Sequence, residues 1–182
     1  MVETEFHIDE DLAPYVNCIM SGKNTGFDSH TNIPLYADGY PGIMFQQSER
    51  GFYILPKKKK LSELFLFGQT LKPISLDVKG RHHYVVVQLY PFASKYLLGI
   101  NPKELNDECY DLLQIKYLDI KSFQNRLIES CNLKEQVQII SNLMRELIHS
   151  HNIYENDNIE KAISIIISTQ GQIKIRELLK QI

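Results

Sequence analysis

Short stretches in which hydrophobic and polar residues alternate fill the first hundred residues, and glycine or proline turn signals separate them. Such alternation, broken at intervals of about 8–12 residues, is typical of a small antiparallel barrel or sandwich. The predicted strands cover residues 15–20, 42–46, 51–55, 62–68, 71–76 and 82–90. Residues 84–89 (YVVVQL) are rich in β-branched side chains, which predicts a central strand there.

A helical period replaces this alternation in the rest of the chain. The predicted helices cover residues 92–98, a segment opening at Pro102, residues 122–130, residues 133 to about 148, a segment from Asp157 to before Gly171, and a last one from residues 173–175 that still runs at Ile182. Gly99 is placed to end the first of them, and Asn101 to cap the second. Strands followed by helices, rather than alternating with them, predict an α+β fold.

The change of pattern also predicts the domain organisation. Most glycines and prolines fall in residues 1–100, which we interpret as a small β-barrel of cupin-like architecture. Residues 101–152 form a helical region. Residues 156–182 form a separate segment that contains a helix, a turn at Gly171 and the start of a second helix.

Charge and composition exclude several classes of protein. The chain of 182 residues carries 20 basic and 22 acidic side chains, so its net charge of −2 argues against a strongly basic nucleic-acid binder. No apolar run approaches the roughly 20 residues that a membrane helix needs, and the acidic N-terminus does not resemble a signal peptide. The three scattered cysteines are expected to be reduced thiols, which predicts a cytoplasmic protein without membrane contact.

Side chains that could support metal or nucleophilic chemistry are not grouped in the sequence. His82 and His83 are adjacent on a predicted strand, so their side chains point to opposite faces and only one can face a barrel interior. No later predicted strand supplies a second histidine, and no nucleophile or zinc motif occurs. We therefore expect no metal, no cofactor and no catalytic residues.

The helix that begins at Leu133 has two apolar stripes. One of them has the spacing of a coiled-coil seam and comprises Leu133, Val137, Ile140, Met144 and Leu147. Two interpretations remain open. Either both stripes pack inside one subunit, or this seam is the interface of a homodimer.

The end of the chain carries a resemblance to a known family. Asp157-Asn158-Ile159-Glu160-Lys161-Ala162-Ile163 and the segment from Gly171 to Leu179 (GQIKIRELL) resemble the opening of an AraC-type DNA-binding domain. Upstream, the segments at residues 38–45 (DGYPGIMF), 67–69 (FGQ) and 87–99 (VQLYPFASKYLLG) resemble the sensor region of one AraC-type subgroup. In that family, the recognition helix would follow Ile182, so the chain is expected to be truncated within its first helix-turn-helix.

The resemblance implies a bacterial transcription regulator with a β-barrel sensor region, a dimerisation region and a DNA-binding domain. It implies an unidentified small-molecule effector, and contact with DNA only through the full-length chain. Inside the predicted barrel, an effector would be oriented by a few polar or amphipathic side chains: Tyr36, Gln46, Gln69, Tyr84 and Gln88. Two alternatives stay open, a small cupin-type barrel enzyme and a dimerisation module whose filled barrel takes no ligand.

Overall fold

The computed structural model describes residues 2–36, 38–150 and 157–182. The strands are β1 Val2–Phe6, β2 Val16–Asn24, β3 His30–Leu35, β4 Gly42–Ser48, β5 Phe52–Leu55, β6 Lys59–Lys60, β7 Leu64–Phe67, β8 Ile74–Lys79, β9 His82–Leu89 and β10 Cys109–Asp111. The α-helices are α1 Ala93–Leu98, α2 Ile120–Glu129, α3 Leu133–Ser150, α4 Asp157–Ser168 and α5 Ile175–Leu178. The predicted α+β class is confirmed.

Two antiparallel sheets form the first part of the fold. The larger sheet has the strand order β1-β2-β9-β4-β7-β10, and the smaller has the order β3-β8-β5-β6. The sheets are open rather than closed on each other, so the expected barrel is corrected to a pair of facing sheets. Strand β9 lies inside the larger sheet between β2 and β4, as the β-branched run from Val85 to Val87 predicts.

Each face of the larger sheet covers a separate hydrophobic core, because successive side chains on a strand point to opposite faces. Met44 and Val86 join the core shared with the smaller sheet, where Phe52 and Val78 lie. The opposite face packs with the helices, through a set that includes Ile43, Phe45, Val85, Val87, Leu127, Ile140 and Leu143. The large sheet is therefore the middle layer, between the smaller sheet and the helices.

Helix α3, which carries the predicted dimer seam, packs most of its apolar residues into the core on the helix side of the larger sheet. Ile140, Met144 and Leu147 are 0% exposed within the single chain. Leu133 and Val137 are half-buried against the same core. Three of the five seam residues thus have no surface to offer a partner, which favours the interpretation that both stripes pack inside one subunit. Homodimerisation itself stays a prediction.

The predicted helix ends agree with the structure at several points. Gly99 adopts a left-handed conformation, with φ of 65°, and ends α1. The side chain of Asn101 accepts a hydrogen bond from the backbone N–H of Lys103, but the segment that it caps is a short 3-10 helix, Pro102–Leu105. The predicted last helix is also shorter than expected, since α5 ends at Leu178.

The chain divides into two compact units, Met1–His151 and Asn152–Ile182. The strands and the first three α-helices belong to the first unit, and residue 100 does not separate them, since α1 precedes it and β10 follows it. The predicted boundary at residues 152–156 lies outside the described residues. In the second unit, α4 ends before Gly171, which has a positive φ of 74°. Among the described residues, no helix is both long and apolar enough to cross a membrane.

Candidate ligand-binding cavity

Side chains fill only part of the space between the two sheets. A cavity of about 420 Å³ lies there, and its size falls in the range of small-molecule sites. Met44, Phe65 and Val86 of the larger sheet line one side, and Ile33, Leu35 and Leu76 of the smaller sheet line the other. The exposed residues Glu3, Tyr36 and Asp38 also border it. The cavity therefore combines apolar walls with polar groups that face solvent.

One row of residues across the larger sheet explains how a phenol reaches this cavity. Glu3 of β1 pairs with Gly22 of β2, and Gly22 pairs with Tyr84 of β9. A Cβ on Gly22 would come within 2.4 Å of the Tyr84 ring and hydroxyl, so the missing side chain leaves room for the ring to lie across β2. The Tyr84 hydroxyl then donates a hydrogen bond to Glu3 Oε1 at 3.3 Å.

Tyr84 is 4% exposed, and its environment opposes ionisation. Burial, together with the charge of Glu3 and the hydrogen bond to it, raises the pKa of Tyr84 to about 12. The hydroxyl thus stays protonated at neutral pH and acts as a hydrogen-bond donor. The Phe52 ring packs edge-on against Tyr84 at a centroid distance of 6.3 Å, which fixes the ring from the side of the smaller sheet.

A second polar group on β9 lies four residues further along, at Gln88. Its Oε1 accepts hydrogen bonds from Asn17 Nδ2 at 3.3 Å and from Cys18 Sγ at 3.1 Å. Its Nε2 donates to Asp38 Oδ2 at 3.2 Å. Asp38 in turn accepts the backbone N–H of Tyr40 at 3.0 Å, so one carboxylate links β9 to the turn before β4.

The structure brings three of the five predicted ligand residues to the cavity: Tyr36, Tyr84 and Gln88. Gln46 is buried in another place, where its Nε2 donates to the carbonyl of Ser62 at 3.0 Å. Gln69 is absent from the lining, but its Nε2 donates to the carbonyl of Gly39 at 3.0 Å and so supports the turn that carries Asp38 and Tyr40. These two glutamines have structural partners in place of a ligand.

Sequence reasoning missed other lining residues, above all the two carboxylates Glu3 and Asp38, and the aromatic residues Tyr40, Phe65 and Phe67. A signal for Glu3 was present, because Val2–Phe6 (VETEF) alternates as a strand does. Asp38 lies in a recognised turn signal before β4, although a turn residue gives no indication of which cavity it borders. Glu3 was missed because the acidic N-terminus was considered only as a possible signal peptide and was not assigned as a strand.

The adjacent histidines point to opposite faces, as predicted. His82 packs edge-on against Phe52 in the core between the sheets, at a centroid distance of 5.6 Å, and His83 packs against Phe45 at 6.1 Å on the helix side. Burial lowers the pKa of His83, whose Nε2 lies 3.2 Å from Gln136 Nε2. Among the described residues, no group of three or more His, Cys, Asp or Glu side chains is arranged to hold a metal ion.

Comparison with known proteins identifies the family. A family model described as a domain of unknown function (DUF6597) matches residues 4–111, more than half of the chain. This chain belongs to the DUF6597 family. The matched range of the DUF6597 domain runs from within β1 to the end of β10, and so includes most of both sheets and nearly all of the cavity lining.

Two further comparisons were made for the DUF6597 domain and the rest of the chain. No curated protein sequence matches the chain. The crystal structure of ToxT from Vibrio cholerae O395, bound to (E)-4-(8-methylnaphthalen-1-yl)but-3-enoic acid, is distantly similar to it. The TM-score is 0.36 with 10% sequence identity, over 88% of this chain and 78% of that chain.

Proposed function

We propose that this chain is the effector-sensing region of an AraC-type transcription regulator, and that a small molecule binds between its two sheets. The observation that carries the proposal is the cavity of about 420 Å³, with apolar walls and a few hydrogen-bonding groups. The regulatory role rests on the resemblance of residues 157–163 and 171–179 to the opening of an AraC-type DNA-binding domain. The open cavity favours sensing over a module with a filled interior.

Strands β4 and β9 offer a route by which an occupied cavity could act on the helices. Met44 and Val86 face the cavity, while the next residues along the same strands, Phe45 and Val87, belong to the core that α3 shares. A ligand that is bound better by one arrangement of these strands would shift the packing of the helical layer. In this proposal the cavity binds its ligand without transforming it.

Dimerisation belongs to the same proposal, since regulators that read paired half-sites are two-fold symmetric. In this proposal the contact does not involve Ile140, Met144 and Leu147, because they are buried within the single chain. Leu133 and Val137 retain partial exposure at the start of α3, and they are the part of the predicted seam that a partner can still reach.

The proposal is tested by measuring which compounds of a small-molecule panel raise the melting temperature of the purified chain. A ligand present at a hundred times its Kd stabilises the folded state by about 2.7 kcal/mol, or roughly 5–10 °C for a chain of this size. Val86→Phe places a larger side chain in the cavity and should abolish the shift. Leu35→Phe, from the opposite wall, is the second blocking variant in case Val86→Phe does not fold.

Leu113→Phe is the matched control, because Leu113 is exposed and does not line the cavity. It should retain the full ligand-induced shift, while circular dichroism shows that all variants are folded. The proposal fails if no compound stabilises the wild type, or if the folded blocking variants respond as the wild type does.

A further inference from the structure

The charged side chains that border the cavity are all acidic. Two carboxylates, Glu3 and Asp38, border it, and no lysine, arginine or histidine is among the described residues that line it. Each carboxylate lies beside a polar group of β9: Glu3 beside Tyr84, and Asp38 beside Gln88. These two groups are separated by four residues, about 13 Å along the strand. A carboxylate therefore lies beside each of the two polar side chains of β9, Tyr84 and Gln88.

Burial and the neighbouring carboxylates oppose ionisation of two side chains nearby. Tyr84 is held protonated by burial and by the charge of Glu3. Burial, with the charges of Glu5 and Asp38, raises the pKa of the Cys18 thiol. Both groups would acquire negative charge on ionisation, and both are kept neutral. An anionic ligand would be repelled by Glu3 and Asp38, without a basic side chain in the described lining to offset their charge.

Aromatic rings form much of the cavity lining. Tyr36, Tyr40, Phe65, Phe67 and Tyr84 all line the cavity. The faces of such rings attract cations, by about 0.5–1 kcal/mol at exposed sites and more where the cation is desolvated. Carboxylates combined with aromatic rings form a site suited to an organic ammonium group, while Met44, Val86 and Leu76 offer apolar surface to the rest of the molecule.

We infer that the ligand of this cavity is an organic cation with an apolar body, an alkyl or aryl amine, rather than a carboxylic acid. This inference rests on the proposed function, because it names the chemical class of the effector for the same cavity. The ammonium group lies near one of the two carboxylates and the tyrosines beside it, and the hydrocarbon part lies between the sheets.

Three probes of equal length test the inference by calorimetry on the full chain: octylamine, octanol and octanoate at neutral pH. We expect octylamine to bind most tightly and octanoate most weakly. The double variant Glu3→Gln/Asp38→Asn should weaken octylamine binding by about two- to tenfold. It should leave octanol unchanged and strengthen octanoate binding. Added salt should weaken octylamine binding to the wild type, since exposed charges are screened.

The matched control is Glu129→Gln/Glu146→Gln, which removes the same charge from exposed positions on α2 and α3. It should leave the order of the three affinities intact. Tighter binding of octanol or octanoate than of octylamine overturns the inference while leaving small-molecule sensing in place. An unchanged preference in the cavity variant also overturns it. Failure of all three probes to bind counts against the proposed function as well.

Discussion

Gly22 lies beside Tyr84 in the larger sheet, and its lack of a side chain determines where the phenol is. A methyl group at residue 22 would come within 2.4 Å of the Tyr84 Cζ and hydroxyl. Gly22→Ala should therefore force the ring off Glu3 and destabilise the fold by about 1–3 kcal/mol, as other overpacked sites do. Urea unfolding of the purified variant measures this loss.

Gly26→Ala is the control for this substitution. At Gly26, the nearest atoms to a new Cβ are 3.4 Å away, which is normal contact, so the variant should keep nearly the wild-type stability. The cost of Gly22→Ala should also largely disappear in a Tyr84→Ala background, where the ring is gone. A full cost in that background would show that the ring is not the cause.

At the scale of residues, strand alternation was sufficient to predict that Tyr84 and Gln88 share a face and that Val85 and Val87 occupy the other. Alternation was not sufficient for Gln46, which lies directly opposite Tyr84 on the neighbouring strand β4 but does not line the cavity. The Gln46 amide finds a backbone carbonyl at Ser62 in place of a ligand, and sequence periodicity does not reveal such a partner. Glu3 lines the cavity because the register of β1 on β2 places it opposite Gly22, which pairs with Tyr84.

In helix α3 the apolar seam was predicted correctly, but most of it packs against the chain's own core and not against a second subunit. Met144 is 0% exposed inside the first unit, so Met144→Ala should lower the free energy of unfolding by about 2–5 kcal/mol. Met144→Glu should prevent folding instead of giving a soluble monomer. Glu146→Ala, an exposed position on the same helix, should change stability by less than about 0.5 kcal/mol. Equal effects of Met144→Ala and Glu146→Ala in urea unfolding would contradict this packing.

An ion pair connects α3 to the loop between β1 and β2. Arg145 Nε donates to Asp11 Oδ2 at 2.6 Å, and Arg145 Nη2 donates to Asp9 Oδ2 at 2.5 Å. The hydrogen bond from Arg145 lowers the pKa of Asp11. The stability that it contributes is present above the ordinary carboxyl pKa of 3.8 and is lost as the pH falls through the lower pKa of the folded state.

Arg145→Gln should thus reduce stability at pH 7 by about 1 kcal/mol or less, since the side chains of Asp9 and Asp11 are 48% and 54% exposed. The difference from the wild type should shrink once the pH is below 3.8. Lys134→Gln, which removes an exposed charge from the same helix, is the control and should show no such pH dependence. Thermal unfolding between pH 3 and pH 7 measures both. A difference that persists at the lowest pH would assign the role of Arg145 to packing.

At the scale of elements, the sequence predicted best where a pattern was long or capped. The helix from Leu133 and the central strand β9 were found with nearly their observed bounds. Strand β1 was missed although its partner β2 is the next strand in the chain, because the acidic N-terminus was not assigned as a strand. Strand β3 was missed because its partner, β8, comes from a distant part of the chain. A short alternating segment such as His30–Leu35 becomes a strand only when such a partner is available.

The arrangement of the whole molecule depends on which face of the larger sheet meets which layer. Alternation predicts two apolar faces for β4 and β9, but it does not say that one face meets a second sheet and the other meets helices. That assignment comes from the chain order, in which β3, β5, β6 and β8 pair with one another and leave the other face to residues after 90. The cavity exists because the two sheets stay open.

The last prediction concerns DNA. We expect residues 1–182 not to bind DNA with sequence specificity, although the chain resembles a regulator. Affinity for DNA depends on neutralising phosphates with lysine and arginine, and the net charge of −2 supplies little attraction. The segment 157–182 has four basic and three acidic residues, and α5 spans only Ile175–Leu178. A base-reading helix must present several side chains in the major groove.

A gel-shift assay at low salt with a pool of random duplexes tests this expectation. We expect only weak retardation of all sequences alike, which disappears as salt is raised. Fusing a complete AraC-type DNA-binding domain in place of residues 157–182 provides the positive control, and it should restore selection of a defined sequence. Selection of one sequence by residues 1–182 alone would contradict the prediction and would place base-reading side chains within the chain itself.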